Sequence, residues 1–151
     1  MNQLTQLYLY LKQLADADDL VNKTTKDVNF EFIKELMTPV VNINIATGAF
    51  TNGSTVNFNI ELACFNQRDV NKEINTDDFW GQDNEVDNHN LAIGVLNRMW
   101  LKMYTDFEEN NITSSENPPF ELGSLEGHKL LDGAKLIFTV EVPNTELSLC
   151  Q

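Results

Sequence analysis

The feature that most constrains this chain is a pair of alternating runs joined by a turn signal. Val41, Ile43 and Ile45 alternate with Asn42 and Asn44; Val56, Phe58, Ile60 and Leu62 alternate with Asn57, Asn59 and Glu61. Successive side chains on a strand point to opposite faces, so each run has one oily and one polar face. Between the runs lies 47–54, which contains Asn52-Gly53, a dipeptide suited to tight hairpin turns. The reading is a hairpin with its tip at 47–54, in an antiparallel sheet covered on one side only. The polar face must then meet water, a channel or a partner.

A further strand is predicted where Leu136, Phe138, Val140 and Val142 alternate with Ile137, Thr139 and Glu141. Ile137 is apolar on the second face, which suits a central strand, and Pro143-Asn144 ends it. Helices supply the cover. Leu4, Leu7, Tyr8, Leu11 and Leu14 form one stripe at helical spacing. Leu9 and Tyr10 are also apolar, which allows a second contact surface; the helix ends at Ala15–Asp19, where acids are unfavourable at a helix C-terminus, or continues exposed. A longer helix covers Asn88–Phe107, capped by Asp87 or Asn88. Its apolar face is Leu91/Ala92, Val95/Leu96, Met99/Trp100, Met103/Tyr104 and Phe107. Gly94 inside it costs ~1 kcal/mol against alanine and is read as a close backbone approach. Asn110 and Asn111 end the helix. Residues 20–38 fit two readings, a strand through Val28, Phe30 and Phe32 or helical turns through Phe32, Ile33, Leu36 and Met37; Pro39 closes them.

A length of 151 residues suits a single domain over 1–151. The fold class expected is α+β: a mostly antiparallel sheet, an N-terminal helix, and one long amphipathic helix packed on one face. Residues 66–90 form an acidic loop or arm, with seven acids against Arg68 and Lys72. The whole chain holds 10 Lys+Arg against 23 Asp+Glu, a net charge of −13. This disfavours a basic grip on duplex DNA. No apolar run approaches a membrane span, and Asn2–Tyr10 does not open like a signal segment, so the expectation is a soluble protein inside a cell.

The residues that carry chemistry are sparse. His89 and His128 have no neighbouring His or Cys at zinc-ligand spacing. Asp83-x-Glu85-x-Asp87 starts like a calcium loop but meets Asn88 and Gly94 where that loop needs Gly and Glu. Gly123–Gly127 is no nucleophile elbow, and no phosphate or dinucleotide fingerprint occurs. Cys64 reads as a small core residue; its pairing with Cys150 has no support in an unexported chain. Tyr8, Tyr10, Trp80 and Trp100 read as core or interface anchors. We expect no catalytic residues, no metal, no cofactor and no enzyme.

The layout resembles a known family. Its features are the N-terminal helix, Met37-Thr38-Pro39-Val40-Val41-Asn42-Ile43, and the long strand ending in Asn66-Gln67-Arg68-Asp69. The acidic stretch and the Asn88–Phe107 helix follow, then Pro118-Pro119-Phe120, Leu131-Asp132-Gly133-Ala134 and Val142-Pro143-Asn144. It is similar to the neck, tail-terminator and tail-completion proteins of tailed bacteriophages, including Bacteroidetes-infecting and crAss-like phages. The resemblance implies a curved sheet with helices on one face. It also implies a virion structural protein at the head–tail connector or tail terminus, assembled in the host cytoplasm. Its expected partners are its own copies, in a closed ring of six or twelve, and neighbouring connector, portal or tail proteins. Genomic DNA would pass without specific binding, and no membrane is involved.

Interface candidates under this reading are Asn52 and Gly53 at the hairpin tip and Phe79, Trp80, Asp83 and Asp87 in the acidic stretch. Phe79 and Trp80 either anchor a neighbour or tuck back onto their own core. A second reading is a monomeric acidic binding module, mimicking DNA through acid clusters at 16–19, 77–87 and 106–109.

Overall fold

The alternating runs become two long neighbouring strands of a six-stranded, mostly antiparallel open sheet in a computed structural model. The structure describes residues 2–26, 37–51, 53–69, 84–126 and 130–144. In chain order these are α1 (Gln3–Asp16), β1 (Lys23–Lys26), β2 (Val40–Thr51), β3 (Thr55–Gln67) and α2 (Glu85–Glu109). Then come β4 (Thr113–Ser114), β5 (Phe120–Leu125) and β6 (Leu131–Pro143). The sheet order is β1-β2-β3-β6-β4, with β5 also pairing β6. The fold is thus α+β, with an N-terminal helix and a long helix, as the periodicities predict.

The hairpin is longer than the sequence implies. Residues 47–51 do not form its tip; they continue β2 and pair with 55–59 of β3. A register shift between Asn44 and Thr47 carries the strand past the end of its clean alternation. The strands pair up to Thr51↔Thr55, and in the turn Gly53 takes a φ of 71°, the left-handed region open to glycine. Asn52 lies outside the described residues. The central strand is β6, paired with β3 from Thr55↔Pro143 to Gln67↔Leu131. β1 is a polar Lys-Thr-Thr-Lys strand, parallel to the start of β2. Of the residues in the two readings of 20–38, Val28, Phe30, Phe32, Ile33 and Leu36 lie outside the described residues, and Met37 is exposed and not helical.

Both helices lie on the face of Val41, Ile43, Ile60, Leu62, Leu136, Phe138 and Val140, which form one buried core with them. The α1 stripe is rotated from the expected one. Leu7 and Leu11 are buried, with Gln6, Tyr10 and Ala15, while Leu4 is exposed. The reason is α2: Tyr10 packs on Phe107 with ring centroids 5.6 Å apart and donates to Asp106 Oδ2 at 2.6 Å. Arg98 of α2 also grips Asp18 beyond the end of α1, Nε to Oδ2 at 2.7 Å. Hydrogen bonding to Arg98 holds the Asp18 carboxyl below the usual range, against the opposing effect of burial.

Two expectations for α2 are corrected. The helix begins earlier, with Asn84 at its N-cap, so Asp87 and Asn88 lie inside it. Asn88 is buried because its side chain is needed by a polar network rather than by the cap. Gly94 marks no close backbone approach: a β-carbon there would meet only the Arg98 side chain, at 3.3 Å. The tight approach is at Gly133, where a β-carbon would stand 1.9 Å from the Cys64 carbonyl oxygen.

The reverse sheet face is polar over most of its length. Thr47, Asn59 and Thr139 form a transverse row, with Asn59 Nδ2 to Thr47 Oγ1 at 2.8 Å and Thr139 Oγ1 to Asn59 Oδ1 at 2.9 Å. Such cross-strand pairs hold register where no apolar packing does. At the other end the expectation of one-sided cover fails. Val40, Ala63, Phe65 and Leu131 are buried there as a second cluster, because β3 exchanges asparagines for Ala63 and Phe65.

Candidate functional site

Where β3 ends, α2 begins and β6 starts, the fold collects a polar network around Asp132. Asp132 lies on the helix-side face, since it pairs with Asn66 in the register that places Ala134 and Leu136 in the core. It has no exposed surface. A charge there needs partners, because desolvation is costly. Arg68 meets it in a fork, Nε to Oδ2 at 2.9 Å and Nη2 to Oδ1 at 2.6 Å. Ser124 Oγ donates to Oδ1 at 2.6 Å and Asn88 Nδ2 to Oδ2 at 3.1 Å. Burial alone would push this carboxyl up; the hydrogen bonds from Arg68, Ser124 and Asn88, with the Arg68 charge, outweigh it and hold it at about 2.

The network reaches further along α2. Arg68 Nη2 lies 3.3 Å from Glu85 Oε2. Asn88 Oδ1 accepts from Asn66 Nδ2 at 2.9 Å. His89 Nδ1 stands 2.9 Å from the Gly133 carbonyl, which can only accept, so Nδ1 carries a proton. His89 Nε2 faces Glu85 Oε1 at 3.4 Å.

Ligand atoms of Glu85, His89 and Asp132 lie within 4.8 Å of one another, close enough to raise the question of a metal. The donor set argues against one. Both Asp132 oxygens already accept hydrogen bonds, and the Arg68 guanidinium bridges the two carboxylates as their cation. Ser124 donates to Asp132, whose depressed pKa makes it a poor base for activating a hydroxyl. The arrangement is a clamp that ties β3, β5 and β6 to the start of α2.

Sequence reasoning missed this clamp. Its signal was present: Asp132 stands at a core-face position of an apolar strand and so requires a buried cation. Arg68 and Asn88 were instead read into an acidic loop and a helix cap.

A second feature is a cavity of about 530 Å³ between α2 and β5, walled by Ile93, Leu96, Trp100, Phe120 and Leu136. Trp100 is a half-buried wall, set edge-on against Phe138 with centroids 5.5 Å apart. Phe120 and Leu122 of β5 are 54% and 52% exposed, and Phe50 of β2 is 85% exposed.

Of the interface candidates only Gly53 and Asp87 are described, and they lie apart. Asn52, Phe79, Trp80 and Asp83 lie outside the described residues, as does His128. Gly53 is exposed at the turn. Asp87 is exposed in the first turn of α2, where a helix dipole favours an acid. The turn sits beside Pro143 and the clamp beside Asp132, at opposite ends of β6. Cys64 is buried, and burial, with the Asp18 charge, pushes its thiol up to about 12, so it is an inert core residue; Cys150 lies outside the described residues.

No protein-family model and no curated protein sequence matches this chain. Among the described residues no helix is long and apolar enough to cross a membrane.

Proposed function

We propose that this chain is a structural subunit of a tailed bacteriophage. It assembles into a closed ring at the head–tail connector or tail terminus, around the channel through which DNA passes. The observation that carries this reading is the placement of exposed aromatic and aliphatic side chains toward opposite lateral edges of the sheet, on its helix-side face. Phe50 projects from β2, and Phe120 and Leu122 from β5, across the intervening β3 and β6. Unlike surfaces on opposite sides of a subunit favour head-to-tail contact, which makes a ring when the rotation closes. The resemblance in layout supplies the phage assignment. A net charge of −13 suits a wall past which phosphates slide without sticking.

The pairing of the acids weighs against the DNA-mimic reading. Asp16 pairs with Lys12, Asp18 with Arg98 and Asp106 with Lys102, so part of the acid in clusters 16–19 and 106–109 is neutralised by the chain's own cations. The test is light scattering followed by negative-stain imaging, on the protein alone and with the neighbouring neck proteins of its phage. A ring with an open centre is the expected result. A chain that stays monomeric in both settings and binds basic proteins in a salt-sensitive manner refutes the proposal.

A further inference from the structure

Charge decides where two copies of this chain can meet. At a net charge of −13, copies repel, and like charges brought face to face disfavour contact. Residues 36–60 contain no Asp, Glu, Lys or Arg, although 22% of the chain is charged. That uncharged stretch includes all of β2 and the start of β3. Among the described residues, β1 pairs only with Val40–Ile43. The Tyr8 hydroxyl meets the backbone of Ile45, at 3.1 Å from its nitrogen. Past it, Ala46–Phe50 are all exposed. Natural edge strands are commonly guarded by charge or proline; Ala46–Phe50 has neither, and no described residue pairs along its outer side.

The cavity under β5 has matching chemistry. Its apolar walls are Ile93, Leu96, Trp100, Pro118, Phe120 and Leu136; Asn90, Asn97 and Asn117 stand among them, and among the described residues lining it only Glu116 is charged. Its volume of about 530 Å³ accommodates an aromatic side chain. Phe50 cannot reach its own cavity. It pairs with Val56, and Val56 with Val142, whereas the cavity wall includes Leu136. Six residues of strand separate those levels, roughly 20 Å, and β3 and β6 lie between. Phe50 and Phe120 nevertheless share the helix-side face, since their ladder partners Val56 and Leu136 are both in the main core.

We propose that the uncharged outer edge of β2 in one copy docks against β5 of the next, with Phe50 seated in the cavity bounded by Trp100, Phe120 and Leu136. The contact joins unlike surfaces and keeps the helices of successive copies on one side. It deepens the ring reading and rests on the chain associating with its own kind.

The test uses two variants of the full chain, Phe50→Asp and Phe120→Asp. Both side chains are more than half exposed, so both variants should keep the wild-type circular dichroism and thermal transition. Sedimentation velocity should show each variant alone associating at least about thirtyfold more weakly than wild type. An equimolar mixture retains one intact contact, the Phe50 of one variant with the cavity of the other, and should give a one-to-one dimer and nothing larger. Wild-type assembly that both variants reproduce overturns this contact and leaves the ring reading standing. A wild-type chain that stays monomeric at every concentration also overturns it, and the ring reading is then decided by co-assembly with neck proteins.

Discussion

Replacing Arg68 by methionine removes the cation from a carboxylate that has no exposed surface. In the native fold that carboxyl sits at about 2. Against about 3.9 in an unfolded chain, this favours folding by about 2.6 kcal/mol at neutral pH. Without Arg68, Asp132 keeps only its bonds from Ser124 and Asn88, and burial dominates. Breaking a buried pair in this way costs about 3–5 kcal/mol. The pH dependence identifies the cause. The wild-type carboxyl is depressed, so its contribution is complete above pH ~4 and is lost as pH falls toward 2. In the variant the carboxyl is raised, so its penalty is complete above the raised value and is relieved as pH falls through it. The stability gap should therefore narrow by up to about 1.4 kcal/mol per pH unit below the variant's raised pKa. Urea unfolding followed by tryptophan fluorescence from pH 7 to pH 5 stays above the isoelectric point of about 4.3 and reads this gap. Adding Asp132→Asn to the Arg68→Met chain should recover much of the loss. A loss below about 1 kcal/mol, or a gap that does not change with pH, refutes the reasoning.

Two glycines should respond with opposite signs. Gly133→Ala forces a β-carbon onto the Cys64 carbonyl and should cost about 3 kcal/mol, whereas Gly94→Ala meets only Nη1 of the half-exposed Arg98, not the two nitrogens that hold Asp18, and should gain about 0.5–1 kcal/mol. Urea midpoints that move in the same direction for both would contradict the packing described. Tyr10→Phe keeps the ring contact with Phe107 and removes the bond to Asp106. It should lose about 1.5 kcal/mol, and an unchanged thermal midpoint would show that this bond does not tie the helices together.

The elements legible in the sequence are those with a periodic oily face. β2, β3, β6, α1 and α2 bury such a face, and burial is what periodicity reports. β1 escaped because Lys-Thr-Thr-Lys has no oily face; its place comes from a parallel neighbour. The distal half of β2 was read as a turn for a related reason. Thr47, Gly48 and Ala49 lie on an exposed edge, and ladder bonds rather than burial hold them in a strand. The clamp stayed hidden because Arg68 and Asp132 are 64 positions apart, and only the β3–β6 register joins them. The cavity is a gap between elements, and no single element's pattern contains it.

That β6 is an interior strand and follows every other described strand sets the order in which this protein can become itself. During synthesis α1, the hairpin and α2 emerge first, and β3 waits with an open edge until residues 131–143 arrive. The pairing then joins Gln67 to Leu131 and Thr55 to Pro143 across the whole intervening chain. Such long-range closure is slow and exposes strand edges in the meantime. A ribosome stalled before residue 131 would release a hairpin with no sheet to join, and nascent subunits crowded on one message would find each other's open β3 before their own β6.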